Sequence, residues 1–369
     1  MDYRCKIKSL KDEMKSLGDL VNFINIEKSL EEISLCHRFL IENVITLHKE
    51  EESNKNNELF SSTCDISEGL MSGQDKKRGG GIYIFNDKNA VYYVFGDIHS
   101  DSLSVTKFLE KIKFVDRALK GEKICLIFLG DYVDRGRGPF KTIECMLLLK
   151  YIFPKNIFLI RGNHDGGMLI SEDEYKLCVG RNDGTTDEDY FTALTFNELK
   201  AKRMSLGLLE DYHKFFNSLC TVAFVKNEDD VVMCVHGGLP RPQNHRYDFI
   251  EKLSDLSDET ILDSIGRTIV HNMLWSDPAE NLDMKRPDGG RFYFYEHEFH
   301  EFLKKFSVSK VIRSHEAFSE GYKEFFQGRL ISIFSSGDVP TLENKETAYK
   351  GTKSCILKLE NGEYNVIRL

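Results

Sequence analysis

Four apolar runs in this 369-residue chain each end in a glycine-bearing polar turn, and no other feature restricts its fold as much. Val91-Tyr92-Tyr93-Val94-Phe95 leads into Gly96-Asp97-Ile98-His99, and Ile124-Cys125-Leu126-Ile127-Phe128-Leu129 leads into Gly130-Asp131-Tyr132-Val133-Asp134-Arg135-Gly136. Ile157-Phe158-Leu159-Ile160 leads into Arg161-Gly162-Asn163-His164-Asp165, and Val231-Val232-Met233-Cys234-Val235 into His236-Gly237-Gly238-Leu239. Short apolar runs of this kind read as strands. Helix-period segments at 103–112 and 140–149 follow the first two turns, which is the strand, loop, helix, strand order of an α/β fold. Ligands in open α/β sheets bind beyond the carboxyl ends of the strands, so the four turns are expected to meet in one crevice.

The rest of the chain divides by pattern. Residues 1–49 carry Ile7, Leu10, Met14, Leu17, Val21 and Ile24 at steps of three and four, then Ile33, Cys36, Leu40, Val44 and Leu47, which predicts a helical hairpin appended at the N-terminus. Its apolar seam is expected to pack on the catalytic domain, with a partner or self-association as the alternative. Residues 50–81 are polar, end in three glycines and read as a linker. The catalytic domain is placed at 82–369. Ile82-Tyr83-Ile84-Phe85 and the run from Val91 flank Asn86-Asp87-Lys88-Asn89, a hairpin signal. Later strands near 330–334, 355–359 and 364–367 follow one another without helices, which makes the sheet mixed.

Composition excludes several classes. With 41% hydrophobic and 30% charged residues the chain suits a packed globular core, not disorder. A net charge of -9, with Lys76-Lys77-Arg78 as its one tight basic run, argues against nucleic acid as partner. No apolar stretch approaches membrane length and no signal peptide is readable, so no membrane partner is expected. Nine cysteines without a Cys-x-x-Cys pair read as free thiols in a reducing, cytoplasmic compartment.

The strand-end residues are carboxylates, imidazoles and one amide, donors that suit divalent manganese, iron or zinc. There are enough of them for two ions, with one carboxylate shared. GDxH, GDxxDRG, GNH and HGG, in this order, resemble the phosphoprotein phosphatase family of metallophosphoesterases. So do Leu274-Trp275-Ser276-Asp277-Pro278 and Ile312-Arg313-Ser314-His315, which extend the likeness over about residues 90–337. The resemblance implies a metallophosphatase-type mixed β-sandwich flanked by helices. It implies Asp97, His99 and Asp131 around one metal, and Asp131 bridging to a second that Asn163, His236 and His315 complete. His164 would protonate the leaving oxygen with Asp134 orienting it, and Arg135 would bind the phosphate. The attacking group would be a metal-bridging hydroxide, so no phosphoenzyme forms.

This sequence departs from that family at Asp165, where its members carry Glu, and in the acidic, glycine-rich segment from Met168 to about Ser205. Arg291 and Arg286 compete for a second phosphate contact, and Arg291 stands directly before Phe292-Tyr293-Phe294. Ser335-Ser336-Gly337-Asp338 brings no tyrosine to the site. Glu296-His297-Glu298-Phe299-His300 reads as a solvated helix face and not as a second metal cluster. The expected function is hydrolysis of phosphorylated protein side chains, Ser/Thr first. Alternatives with the same chemistry are phosphotyrosine and dinucleotide polyphosphates, and a non-catalytic binding scaffold is the remote one.

Overall fold

The computed structural model describes residues 3–53, 82–87, 89–240, 267–280 and 293–369. Two sheets face each other. One has six strands in the order β1 (Ile82–Phe85), β7 (Val222–Asn227), β8 (Asp230–Val235), β11 (Lys310–Arg313), β13 (Leu330–Ile333) and β12 (Tyr322–Phe325). The other has five, in the order β15 (Glu363–Arg368), β14 (Cys355–Glu360), β2 (Val91–Phe95), β3 (Ile124–Phe128) and β4 (Ile157–Leu159). Two small ribbons, β5 (Met168–Ser171) with β6 (Glu174–Lys176) and β9 (Asp277–Pro278) with β10 (Tyr293–Phe294), complete the strands.

The continuous apolar runs are explained by burial on both faces. Along β2 and β3, Tyr92, Val94, Cys125 and Ile127 point into the space between the sheets, where they meet Val232, Cys234 and Ile312 of the opposite sheet. Their neighbours Tyr93, Phe95, Leu126 and Phe128 face outward into a helix-covered core. The six-stranded sheet is covered in turn by the helices Arg267–Trp275 and Glu296–Phe306 through Met273, Phe299 and Phe302. The expected mixed β-sandwich flanked by helices is what the chain forms. β2, β3 and β4 run parallel, as do β8, β11 and β13, so their carboxyl ends reach one edge of the sandwich.

Two local expectations are corrected. β1 and β2 are not a hairpin: β1 pairs in parallel with β7, while β2 lies between β3 and β14 in the other sheet. The turn residues between them let the chain cross from one layer to the other, and a turn signal does not say which sheet the next strand joins. The N-terminal segment forms three helices, α1 (Tyr3–Glu13), α2 (Leu17–Ile24) and α3 (Leu30–Ser53), and α3 runs past the boundary expected at 49. The break between α1 and α2 is made by Asp19, whose carboxylate accepts from the backbone N–H groups of Lys15 and Ser16 and from Ser16 Oγ.

The apolar seam of these helices is buried within the chain. Ile7, Leu20, Phe23, Cys36, Leu40 and Val44 share the core of the five-stranded sheet with α6 (Pro139–Ile152) and α8 (Gly207–Asn217). Each fully buried side chain of this kind contributes about 1.5–3 kcal/mol, which anchors all three helices to the catalytic body. A buried charge cluster locks the same interface. Glu144 of α6 meets Lys28 Nζ at 2.8 Å and His37 Nε2 at 3.4 Å, and His37 Nδ1 meets Tyr212 OH at 2.6 Å.

Candidate active site

The strand-end turns are stitched to one another before any side chain is considered. The Asp131 carbonyl accepts from the N–H groups of Ile98 and His99 at 3.1 and 2.7 Å, and the His236 carbonyl from Ser314 N–H at 2.9 Å. His99, Asp131, Asp134, Arg135 and His315 all hold positive φ, between 43° and 71°. Such strain costs about 1–3 kcal/mol per residue and persists where surrounding structure dictates it. Gly162 shows why glycine is needed here: a Cβ would collide with the Asp131 carboxylate.

The histidine orientations carry the fit to a metal. His99 Nδ1–H donates to Val133 O at 2.9 Å, which leaves Nε2 facing Asp97 and Asp131, each at 3.5 Å. His236 Nδ1–H donates to Leu129 O at 2.9 Å and turns Nε2 toward Asn163 Oδ1 at 2.7 Å, His315 Nδ1 at 3.2 Å and Asp131 at 3.4 Å. A carbonyl that fixes the tautomer while the opposite ring nitrogen faces other donors is the arrangement of a metal-ligating histidine. Among the described residues, the two groups able to hold an ion are His99, Asp131 and His164, and Asp131, His236 and His315. Asp131 belongs to both. Asp97 lies beside His99 and Asn163 beside His236, so the six residues expected as ligands come together, with His164 next to them, and their donor atoms suit divalent ions.

Electrostatics point the same way. Burial first, then Asp97 and Asp165, push the Asp131 carboxyl well above the ordinary aspartate range. Burial opposes ionisation of Asp97 too, but His99, His236 and Ser314 outweigh it and hold its carboxyl low. Burial lowers His236 to about 4. A cluster with this much buried carboxylate and lone-pair density is balanced by cations.

Beside the cluster stands a second pair. His164 Nδ1 lies 2.7 Å from Asp134 Oδ2, and the His164 ring meets that of His99 edge-on at 4.9 Å between centroids. Burial lowers the His164 pKa, and the Asp134 carboxylate works against that. The segment after His164 packs directly on this pair. It comprises the ribbon β5–β6, a short turn at Asp187–Asp189 and α7 (Phe191–Ala201). Phe191 N–H, in the first turn of α7, donates to Asp134 Oδ1 at 2.6 Å, and Arg135 N–H donates to Asp189 O at 2.9 Å. The acidic insertion is therefore a wall of the site.

Several residues have supporting roles that the sequence did not reveal. Asp165 accepts three backbone N–H bonds, from Asp131 at 2.7 Å, Gly162 at 2.8 Å and Tyr132 at 2.9 Å. It braces the turns that carry Asp131 and Asn163, a role its place directly after the GNH motif signals. Burial pushes its carboxyl up to about 6 against the pull of those three donors. Arg313, fully buried, donates to Gly237 O at 2.7 Å, Ser276 O at 3.1 Å and Asp277 Oδ1 at 2.6 Å, tying the HGG turn to the segment around Asp277. Ser314 Oγ donates to Asp97 Oδ1.

The expectation that the loop after β13 brings no tyrosine is corrected. Tyr349 stacks on His99 at 5.3 Å with the rings 26° apart, and meets Phe334 edge-on at 4.6 Å. A buried network holds it there: Asn344 Nδ2 and Ser336 Oγ both donate to Asp101, Ser336 Oγ bonds Thr347 Oγ1 at 2.9 Å, and Tyr349 N–H donates to Thr347 Oγ1 at 3.0 Å. Glu298 also departs from the solvated face read for its helix; it is buried, and its carboxylate accepts Tyr295 N–H at 2.8 Å. Arg286 and Arg291 lie outside the described residues. No helix among the described residues is long and apolar enough to cross a membrane.

Known proteins match this arrangement. Residues 91–318 match the calcineurin-like phosphoesterase family. The serine/threonine-protein phosphatase BSL2 of Arabidopsis thaliana is 27% identical over 249 residues, which is 66% of this chain but 22% of that protein. The chain thus spans about a fifth of the length of that relative. Among solved structures, a protein serine/threonine phosphatase from Saccharomyces cerevisiae with similarity to human phosphatase PP5 shares the fold. It has a TM-score of 0.59 and 20% identity, with 90% of this chain and 88% of that one covered. The family works with divalent metal ions and hydrolyses phosphoesters, the chemistry this donor set can support. The chain belongs to the calcineurin-like phosphoesterase family.

Proposed function

We propose that this enzyme removes phosphate from phosphorylated protein side chains, phosphoserine and phosphothreonine first, with two divalent transition-metal ions at the crevice. The observation that carries the reading is the buried His164–Asp134 pair at 2.7 Å, beside the Asp/His cluster and next to Arg135. Asp97, His99 and Asp131 would hold one ion; Asp131, Asn163, His236 and His315 would hold the other. Bound ions would polarise the phosphate and lower the pKa of an attacking water.

The side chains supply the rest. A serine or threonine alkoxide is a poor leaving group, and His164 Nε2 would protonate it. Asp134 fixes His164 Nδ1 and favours the imidazolium, while burial disfavours it. An incoming phosphate dianion adds a second anionic partner that favours the protonated ring. Arg135 offers its planar fork to the phosphate oxygens. Arg291, ahead of Arg286, is assigned the second phosphate contact, which alanine variants of each would test.

The relative named a serine/threonine-protein phosphatase supports a protein substrate. So does the acidic inserted segment, where Glu172, Glu174 and Asp183 are exposed and would favour basic sequences. A reducing, cytoplasmic setting accords with the eight described cysteines, all free thiols. Self-association through the N-terminal helices would have to use their outer side, where Leu35 is 52% exposed, because the seam is spent inside. The deciding assay compares kcat/KM on basic phosphoserine peptides, phosphotyrosine peptides and diadenosine tetraphosphate. The phosphoserine peptides should lead, and their margin over the dinucleotide should narrow with salt as charge is screened. A lasting preference for the dinucleotide would overturn the substrate assignment.

A further inference from the structure

Arg135 has no carboxylate within ion-pair reach among the described residues, yet its guanidinium is held. With the amide oxygen turned inward, Asn182 Oδ1 accepts from both terminal nitrogens of Arg135, at 3.2 and 3.1 Å. That orientation is the physical one, because a guanidinium only donates and the amide NH₂ would meet it donor to donor. The Asn182 backbone is fixed, although the residue lies at the exposed surface. Its N–H donates to Tyr190 OH at 3.0 Å, and its carbonyl accepts from Thr185 Oγ1 at 2.6 Å. The Tyr190 side chain that anchors this turn is fully buried. The chain thus reaches from the inserted segment to both ends of Arg135, with Asp189 O on its backbone and Asn182 Oδ1 on its fork.

We infer that Asn182 is a positioning residue for phosphate binding, and that it works by clamping Arg135 through a neutral acceptor. The inference rests on Arg135 contacting the phosphate. An oxygen shared by the two terminal nitrogens engages one N–H of each, which leaves the Nε–H and the outer N–H bonds for an anion. A carboxylate in the same place would hold the fork equally well, but it would cancel the positive charge that attracts a dianion. An amide holds the geometry and leaves the charge.

The test is a double-mutant cycle read in two ways: KM and kcat on an aryl phosphate, and inhibition by inorganic phosphate. Asn182→Ala should raise KM and the phosphate inhibition constant together, on the order of ten-fold, with kcat little changed. Asn182→Asp should weaken phosphate binding at least as much despite keeping the shape. In an Arg135→Ala background, Asn182→Ala should do nothing further. A structural role for the turn would not vanish in that background, so a persisting loss there overturns the inference. So does an Asn182→Ala enzyme with unchanged phosphate affinity. If Arg135→Ala alone leaves phosphate affinity intact, it is the reading of Arg135 as phosphate ligand that fails.

Discussion

His164 and Asp134 are joined at 2.7 Å, and the free oxygen of that carboxylate is taken by Phe191 N–H at 2.6 Å. The proposed acid and its orienting partner are thus held by a helix start that belongs to the inserted segment. His164→Ala should lose roughly 10²–10⁴ in kcat on phosphopeptides, the usual worth of a positioned acid. The loss should shrink on an aryl phosphate, whose leaving group needs no proton. Asp134→Asn should show a milder form of the same pattern. Equal losses on both substrates in steady-state kinetics would remove His164 from the acid role.

Arg313 should prove a structural keystone of the crevice. Replacing it with Ala removes its bonds to Asp277 and to the Gly237 and Ser276 carbonyls from a buried setting, so unfolding in urea should reveal a loss of about 3–5 kcal/mol. Arg313→Lys keeps the charge but not the fork and should recover only part of it. An alanine variant within about 1 kcal/mol of wild type would show that the network adds little.

The Glu144 cluster predicts an acid-sensitive N-terminal interface. Burial opposes ionisation of Glu144, but His37 and Lys28 outweigh it and lower its pKa below the ordinary value of 4.5. A carboxyl depressed by folding stabilises the native state above its unfolded pKa, and that stability drains as pH falls through the folded value. Glu144→Gln should therefore lower Tm at pH 7, by the equivalent of about 3–5 kcal/mol if Lys28 is left a lone buried charge. The gap between variant and wild type should narrow as pH falls below the ordinary glutamate value and through the depressed folded one. A gap independent of pH would mean that packing, and not charge, holds α2 and α3 to α6.

How much of this could be read in the sequence follows from the range of each interaction. The strand-end turns that carry the proposed metal ligands were legible because each lies directly after its own strand, so local order carries the whole signal. The β1–β2 crossover was not, because turn residues report a change of direction and not the sheet that follows. Tyr349 was missed for a similar reason. It lies well beyond the Ser335–Asp338 turn in sequence, and only the buried Asp101, Asn344 and Thr347 network folds it back onto His99. Phe191 acts through its backbone N–H, which no residue type announces. Asp165 was visible as a departure from the family pattern, but its three backbone bonds needed two turns to be in place at once.

The central claim is that one carboxylate, Asp131, serves two ions. Asp131 stands within ligand reach of both His99 and His236, at 3.5 and 3.4 Å, so a single change should disturb both positions. The direct measurement is metal content per chain by elemental analysis after reconstitution with manganese. Wild type should carry close to two ions. Asp131→Asn should lose both together along with hydrolysis, while His164→Ala should keep both. An Asp131→Asn protein that retained two ions and full activity would contradict the shared-ligand account.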